Sequence, residues 1–197
     1  MKAPSILLQA DDSMKNTANR ISSVILSGGI VLYPSDTVYG LLCRADNREL
    51  LKRLSKIKGY TRQRPFILLV DGTVMVKTVA DCSDPEVIGI MECRWPGKLT
   101  LVLPASEECP KWVCGDERTV AVRYPADELS NLVLGNCGMP LVSTSANSAG
   151  GDSYCDVKDI PGCIKDEVDL VVDAGVLPPS FPSTILCLLR SSGISMH

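Results

Sequence analysis

Short apolar runs alternate with amphipathic stretches along this chain, a pattern that predicts an α/β fold. Residues 5–8 read as a short strand that ends at the polar Asp11 and Asp12. From Ser13 an amphipathic helix is expected, with Met14, Ala18, Ile21, Val24 and Ile25 on one face. Gly28 and Gly29 stop it, as glycine past a helix end commonly does. Residues 30–33 predict a buried strand broken by Pro34. Asp46 with Glu49 resembles a capping box that opens a helix through about Ile57, with Leu50, Leu51, Leu54 and Ile57 inward. Lys52, Arg53, Lys56 and Lys58 make the rest of that helix basic. Further strands are expected at 66–70, 99–103, 119–125 and 168–172, and helices at 84–93, 127–134 and 157–165. Residues 95–98 form a turn, and 104–118 a loop-rich insert.

Five stretches carry polar groups where strands begin or end. In residues 140–150, P-L-V-S-T-S-A-N-S-A-G, a short buried strand opens into a loop holding Ser143, Thr144, Ser145 and Asn147. Strand ends of this kind are where open α/β sheets hold ligands, and hydroxyls and an amide can bind carboxylate or phosphate oxygens. The same composition also makes a plain polar turn. Residues 34–41, P-S-D-T-V-Y-G-L, set two hydroxyls around a carboxylate after a strand; such residues equally form Asx- or ST-turns that join strand to helix. Residues 58–65 hold the cations Lys58, Arg62 and Arg64, which make either a solvated charge cluster or a polyphosphate clamp. The strand at 119–125 delivers Arg123 at its end, suited to bidentate carboxylate binding. Ser183 and Thr184 open a last apolar run.

Composition narrows the chemistry. At 197 residues, with 22% charged and 45% hydrophobic residues, the chain suits one soluble domain with a proper core. A net charge of −3 gives no global attraction for nucleic acid, so an anion site must be built locally. Nine cysteines, an odd number with no C-x-x-C pair and no signal-peptide pattern before them, predict reduced thiols and a cytoplasmic protein. Cys43 and Cys187 sit in apolar runs, where a thiol behaves as a small hydrophobe. Cys109 and Cys114 lack the further ligands a zinc site needs. No apolar run approaches the roughly 18 residues that span a bilayer, so no membrane partner is expected. The single histidine is His197, which excludes histidine acid–base chemistry and histidine-rich metal sites. No Walker loop pattern occurs.

Taken together, Y-P-S-D-T-V-Y-G-L, W-P-G-K-L-T-L-V-L, V-A-V-R-Y-P, P-L-V-S-T-S-A-N-S-A-G and P-S-T-I are similar, in order and spacing, to the YrdC-like domain family. That family holds the threonylcarbamoyl-adenylate synthases and the YciO-type paralogues. The resemblance covers roughly residues 15–188 and implies a single-domain, twisted, open mixed sheet with flanking helices and a concave, locally positive ligand cavity. It implies a reaction as well: L-threonine, bicarbonate (or CO2) and ATP, with Mg2+, give threonylcarbamoyl-adenylate and pyrophosphate. A partner transferase then moves the threonylcarbamoyl group to a tRNA adenosine. Ser35, Arg123, Ser143 and Ser183 match threonine-contacting positions, with Arg123 on the carboxylate. Thr119, Ser145 and Ser153 match nucleotide positions, and Lys58 and Arg64 would neutralise the triphosphate.

The chain departs from the synthase pattern in three places. Lys58-Gly59-Tyr60-Thr61 stands where Lys-Gly-Arg-Pro is usual, with Arg62 two residues beyond the missing arginine. Leu69 stands near a common histidine position, and the Arg-Pro-Gly segment after the last strand has no counterpart, Arg190 being no obvious replacement. YciO-type paralogues also depart in the Lys-Gly-Arg-Pro region. The alternative expectation is therefore a non-catalytic paralogue that binds RNA through the basic face at residues 52–64.

Overall fold

Ser13 opens the first helix with its hydroxyl oxygen, which accepts the Asn16 N–H at 3.3 Å and satisfies one of the donors a helix start leaves free. The helix, α1 (Met14–Leu26), buries Ala18, Ile21 and Ile25 completely and ends before Gly28, whose φ of 88° suits glycine. The computed structural model describes residues 5–7, 13–61, 64–188 and 195–196. Leu8, Asp11, Asp12, Arg62, Arg190 and His197, all weighed above, lie outside the described residues.

The strands are β1 (Ser5–Leu7), β2 (Val31–Pro34), β3 (Tyr39–Arg44), β4 (Ile67–Leu69), β5 (Leu99–Pro104), β6 (Thr119–Arg123), β7 (Leu141–Ser145), β8 (Leu170–Asp173), β9 (Thr184–Cys187) and β10 (Ser195–Met196). They form one mixed sheet in the order β1-β8-β2-β3-β7-β4-β6-β5-β9-β10. The remaining helices are α2 (Arg48–Ile57), α3 (Thr73–Lys77), α4 (Pro85–Arg94), α5 (Glu128–Cys137) and α6 (Gly162–Lys165). Strand alternation divides the core between the two faces of the sheet. Leu32, Leu41, Leu68, Val122 and Val142 point one way and pack with Leu51, Leu54 and Met91 of α2 and α4. Val31, Leu42, Leu69 and Leu141 point the other way, under Ile21 and Ile25 of α1 and Val133 and Leu134 of α5.

The structure redraws several expected elements. Asp46 does not cap α2; its carboxylate is taken by Arg44 (Nη2–Oδ2 2.7 Å), and Asn47 caps the helix by accepting the N–H groups of Glu49 and Leu50. The turn after β2 leads into the antiparallel strand β3, not a helix, with Tyr33 opposite Gly40. Ser143, Thr144 and Ser145 lie within β7, not in a loop, because β3 pairs with β7 through all three hydroxyl residues, while β4 on the other side reaches as far as Ser143. The helix expected at 157–165 is two pieces, a 3₁₀ turn (Val157–Asp159) and α6, since Pro161 can only precede a helical run here. No helix among the described residues is long and apolar enough to cross a membrane.

Cys43 lies fully buried in β3, and burial pushes its thiol from an ordinary 9.0 up to about 12. Between those values the unfolded thiol ionises while the folded one keeps its proton. The unfolded chain then binds fewer protons, and stability falls as pH rises. One such thiol is worth about 1.4 kcal/mol between pH 8 and pH 10. Denaturant titrations at both pH values should therefore show the stability difference between wild type and Cys43→Ala shrink by about that amount. An unchanged difference would mean that the Cys43 thiol does not titrate this way.

Candidate functional site

Ser35 folds the β2–β3 turn around its own hydroxyl. Its Oγ accepts the N–H groups of Thr37 and Val38, both at 3.2 Å, and donates to the Val38 carbonyl at 2.6 Å. This is the ST-turn reading of the P-S-D-T stretch. The turn pushes Asp36 toward the carboxyl end of β6, where Arg123 Nη2 donates to Asp36 Oδ2 at 2.6 Å. The two side chains are only 8% and 11% exposed. Arg123 Nε also donates to the Gly97 carbonyl at 3.0 Å, which fixes the plane of the guanidinium.

This ion pair borders a cavity of about 420 Å³. Tyr33, Ile67, Ser143, Ser145, Arg123 and Ile185 project into it from β2, β4, β7, β6 and β9, on the side of the sheet that α1 and α5 only partly cover. Ser35, Ser153 and Ser183 close it from three loops. Leu69, Ile67 and Ile185 supply apolar walls. Hydroxyls around the cavity are positioned by second partners. Ser183 Oγ lies 2.8 Å from Oγ1 of the fully buried Thr100, and Ser143 Oγ lies 3.5 Å from the Tyr33 hydroxyl. Burial, then the negative charge of Asp127, pushes the Tyr33 phenol up to about 12, so it stays a neutral hydrogen-bonding group. Burial also raises the Asp127 carboxyl.

Six of the nine residues singled out in the sequence thus meet in one cavity: Ser35, Arg123, Ser143, Ser145, Ser153 and Ser183. Three do not line it. Lys58 is 2% exposed and sits behind the β7 end, where its Nζ donates to the Ser145 carbonyl and to Asn147 Oδ1, both at 2.6 Å. Its own carbonyl accepts the Ala149 N–H at 2.8 Å, so Lys58 holds residues 145–149 at both ends. Burial lowers the Lys58 ammonium to about 8. Arg64 lies outside, with its guanidinium 5.3 Å from the centre of the Tyr60 ring. Thr119 starts β6 on the same face as Arg123, about 13 Å away along the strand.

Two features of the site were not assigned beforehand. Asp36 was noted only as a carboxylate between hydroxyls, and its partner is 87 residues distant. Thr100, in the L-T-L-V-L run, carried no role until β5 and β9 paired. The expectation of a locally positive cavity also changes. Asp36 and Arg123 are the only charged residues among its described lining residues, and they neutralise each other. Among the described residues no group of three or more His, Cys, Asp or Glu could hold a metal ion. A guanidinium–carboxylate pair ringed by hydroxyls, beside apolar walls, complements a small zwitterion that carries a hydroxyl.

Known proteins share the sequence pattern and the fold. The model of the Sua5/YciO/YrdC family, described as "Telomere recombination", matches residues 23–196. A threonylcarbamoyl-AMP synthase of Coxiella burnetii (strain RSA 493 / Nine Mile phase I) is 30% identical over 174 residues, 88% of this chain and 94% of that protein. The structure of P. abyssi Sua5 complexed with L-threonine superposes with a TM-score of 0.84 at 26% identity, covering all of this chain but 56% of that one. E. coli YciO shares the fold at a TM-score of 0.86 and 22% identity, over 98% of this chain and 94% of its own. The family match over most of the chain and the 30% identity to a threonylcarbamoyl-AMP synthase make this chain a member of the Sua5/YciO/YrdC family.

Proposed function

We propose that this protein is an ATP-dependent L-threonylcarbamoyl-adenylate synthase acting in tRNA threonylcarbamoyladenosine modification. The observation that carries the proposal is the buried Arg123–Asp36 pair opening onto Ser35, Ser143 and Ser183 in one cavity. The likeness to named threonylcarbamoyl-AMP synthases and to a threonine-bound Sua5 supports it. In this reading Arg123 takes the threonine carboxylate and the serines take its hydroxyl and amine. The amine nitrogen bonds to the carbon of CO2 and loses a proton. A carbamate oxygen then bonds to the α-phosphorus of ATP as the bond to the β-phosphate oxygen breaks, which releases pyrophosphate. With bicarbonate as the source, one water is also lost. Holding the reactants together and stabilising charge supply the acceleration, with no side-chain nucleophile.

Ser145, Ser153 and Thr119 are assigned to the nucleotide, which would run from the cavity along β6. Arg64 is assigned to the triphosphate. Lys58 acts on the same end of the site through Ser145 and Asn147, which it tethers. Mg2+ would arrive with ATP, bound to the phosphates and offsetting their charge, since the one carboxylate among the described lining residues is committed to Arg123. A downstream transferase would consume the adenylate. The test is pyrophosphate release from ATP and Mg2+, with L-threonine and bicarbonate each added or omitted. Release that needs all components is the expected result. No ATP binding at millimolar nucleotide and Mg2+ would sink the proposal.

A further inference from the structure

Cys109 and Cys114 bracket the turn C-P-K-W-V-C in the segment between β5 and β6, and their sulfur atoms meet. Cys114 Sγ lies 3.8 Å from Cys109 Sγ and 3.5 Å from the Pro110 carbonyl oxygen. All nine cysteines carry free thiols, and among the described residues no other two of them are in contact. The Val113 N–H closes the turn by donating to the Pro110 carbonyl at 3.0 Å. Its flanks are fixed as well. The Cys109 N–H donates to the Ser106 carbonyl at 3.2 Å, Trp112 Nε1 to the Ala45 carbonyl at 3.0 Å, and the Gly115 N–H to the Thr119 carbonyl at 2.8 Å. The thiol contact is therefore built by the folded segment.

The two thiols differ in access. Cys109 is 2% exposed, whereas Cys114 is half-buried. Burial, then the charge of Cys114, pushes the Cys109 thiol up, so the inner member of the pair keeps its proton. A reagent from solvent reaches Cys114 first and leaves Cys109 behind it as the resolving thiol. Among the described residues no group of His, Cys, Asp or Glu could hold a metal ion, which leaves sulfur–sulfur chemistry as the use of this contact. Bonded sulfurs lie about 2.05 Å apart, so the 3.8 Å contact must close by about 1.8 Å, shared between two side-chain rotations.

We propose that Cys109 and Cys114 are a reversible dithiol site, which low-molecular-weight disulfides oxidise to an internal disulfide and thiols reduce again. Cys114, as the thiolate, bonds to one sulfur of the reagent, whose S–S bond breaks so that one thiol leaves with a proton. Cys109 then gives up its proton and bonds to Cys114 Sγ, the mixed disulfide breaks, and the second thiol leaves. Two protein thiols are oxidised and one reagent disulfide is reduced to two thiols. The new bond staples residues 109–114 next to Gly115, whose N–H holds the start of β6 at Thr119. The site is independent of the cavity reading, since neither cysteine is among the described lining residues of the cavity.

The test is to incubate the full native chain with oxidised glutathione, block the remaining thiols with N-ethylmaleimide and digest with trypsin. Cleavage after Lys111 places Cys109 in the peptide 99–111 and Cys114 in 112–118, so the bond shows as one linked pair of peptides. Dithiothreitol should separate that pair. At about 1 mM oxidised glutathione the linked pair should exceed glutathione-bound Cys114 about ten-fold or more, because the second thiol is already in place. Cys109→Ser should reverse the ratio and leave glutathione on Cys114. The wild-type ratio decides the matter even if that variant fails to fold. Glutathione that stays on wild-type Cys114, or two thiols that both remain free to react with N-ethylmaleimide, overturns the proposal. So does a linked pair that forms only after urea unfolds the chain, since the contact is then mere packing.

Discussion

Replacing Arg123 with methionine is expected to abolish L-threonine binding in a calorimetric titration and to lower unfolding free energy by about 3–5 kcal/mol. Both effects come from one ion pair. Asp36 and Arg123 approach to 2.6 Å with almost no solvent contact. Removing the guanidinium leaves a buried carboxylate whose Oδ2 has lost its donor and whose Oδ1 has no hydrogen-bond partner among the described residues. An uncompensated buried charge is far costlier than the loss of an exposed pair, which is worth about 0–1 kcal/mol. The double variant Arg123→Met/Asp36→Leu separates structure from recognition. Removing both charges should restore most of the stability, because the desolvation cost goes with them, whereas threonine binding should stay absent. If the single variant still bound threonine as wild type does, Arg123 would not be its carboxylate partner.

The second large effect is on activity with little effect on stability. Lys58→Met should leave stability at pH 7 within about 1 kcal/mol of wild type, yet cut threonine-dependent pyrophosphate release at least ten-fold. Losing the donations to the Ser145 carbonyl and Asn147 Oδ1 costs about 2–3 kcal/mol. Against this, the variant no longer buries an ammonium, and burial is the cause of the lowered Lys58 pKa. The two terms are of the same order and oppose each other. What is lost is the tether that holds residues 145–149 against the cavity. A pH series gives an independent check. Lys58 titrates near 8 when folded and near 10.5 when unfolded, so between these values the unfolded chain holds more protons and wild-type stability gains with pH. Lys58→Met lacks that gain and should fall progressively behind wild type from pH 8 to pH 10. A constant difference across that range would refute the assignment.

Much of this was readable along the chain, and the exceptions share a cause. The spacing of Ala18, Ile21 and Ile25, the Ser13 cap and Gly28 define α1 because each acts within one or two helical turns. The motif serines and Arg123 were legible as candidates because polar groups at strand ends stand out against apolar runs. Local pattern could not decide that Ser143–Ser145 stay in a strand. That depends on β3, from positions 39–44, pairing with all three, and on β4, from positions 67–69, pairing with Ser143 on the other side. Nor could it show that Lys58, read as a phosphate ligand in an exposed basic run, is buried against Ser145 and Asn147. Residue type, period and turn chemistry determined most of the elements and marked six of the candidate residues that meet in the cavity. The tertiary structure alone decided which charges are paired and which cations are left facing solvent. Those outcomes depend on sheet register and strand order, which bring together groups nearly ninety residues apart, such as Asp36 and Arg123.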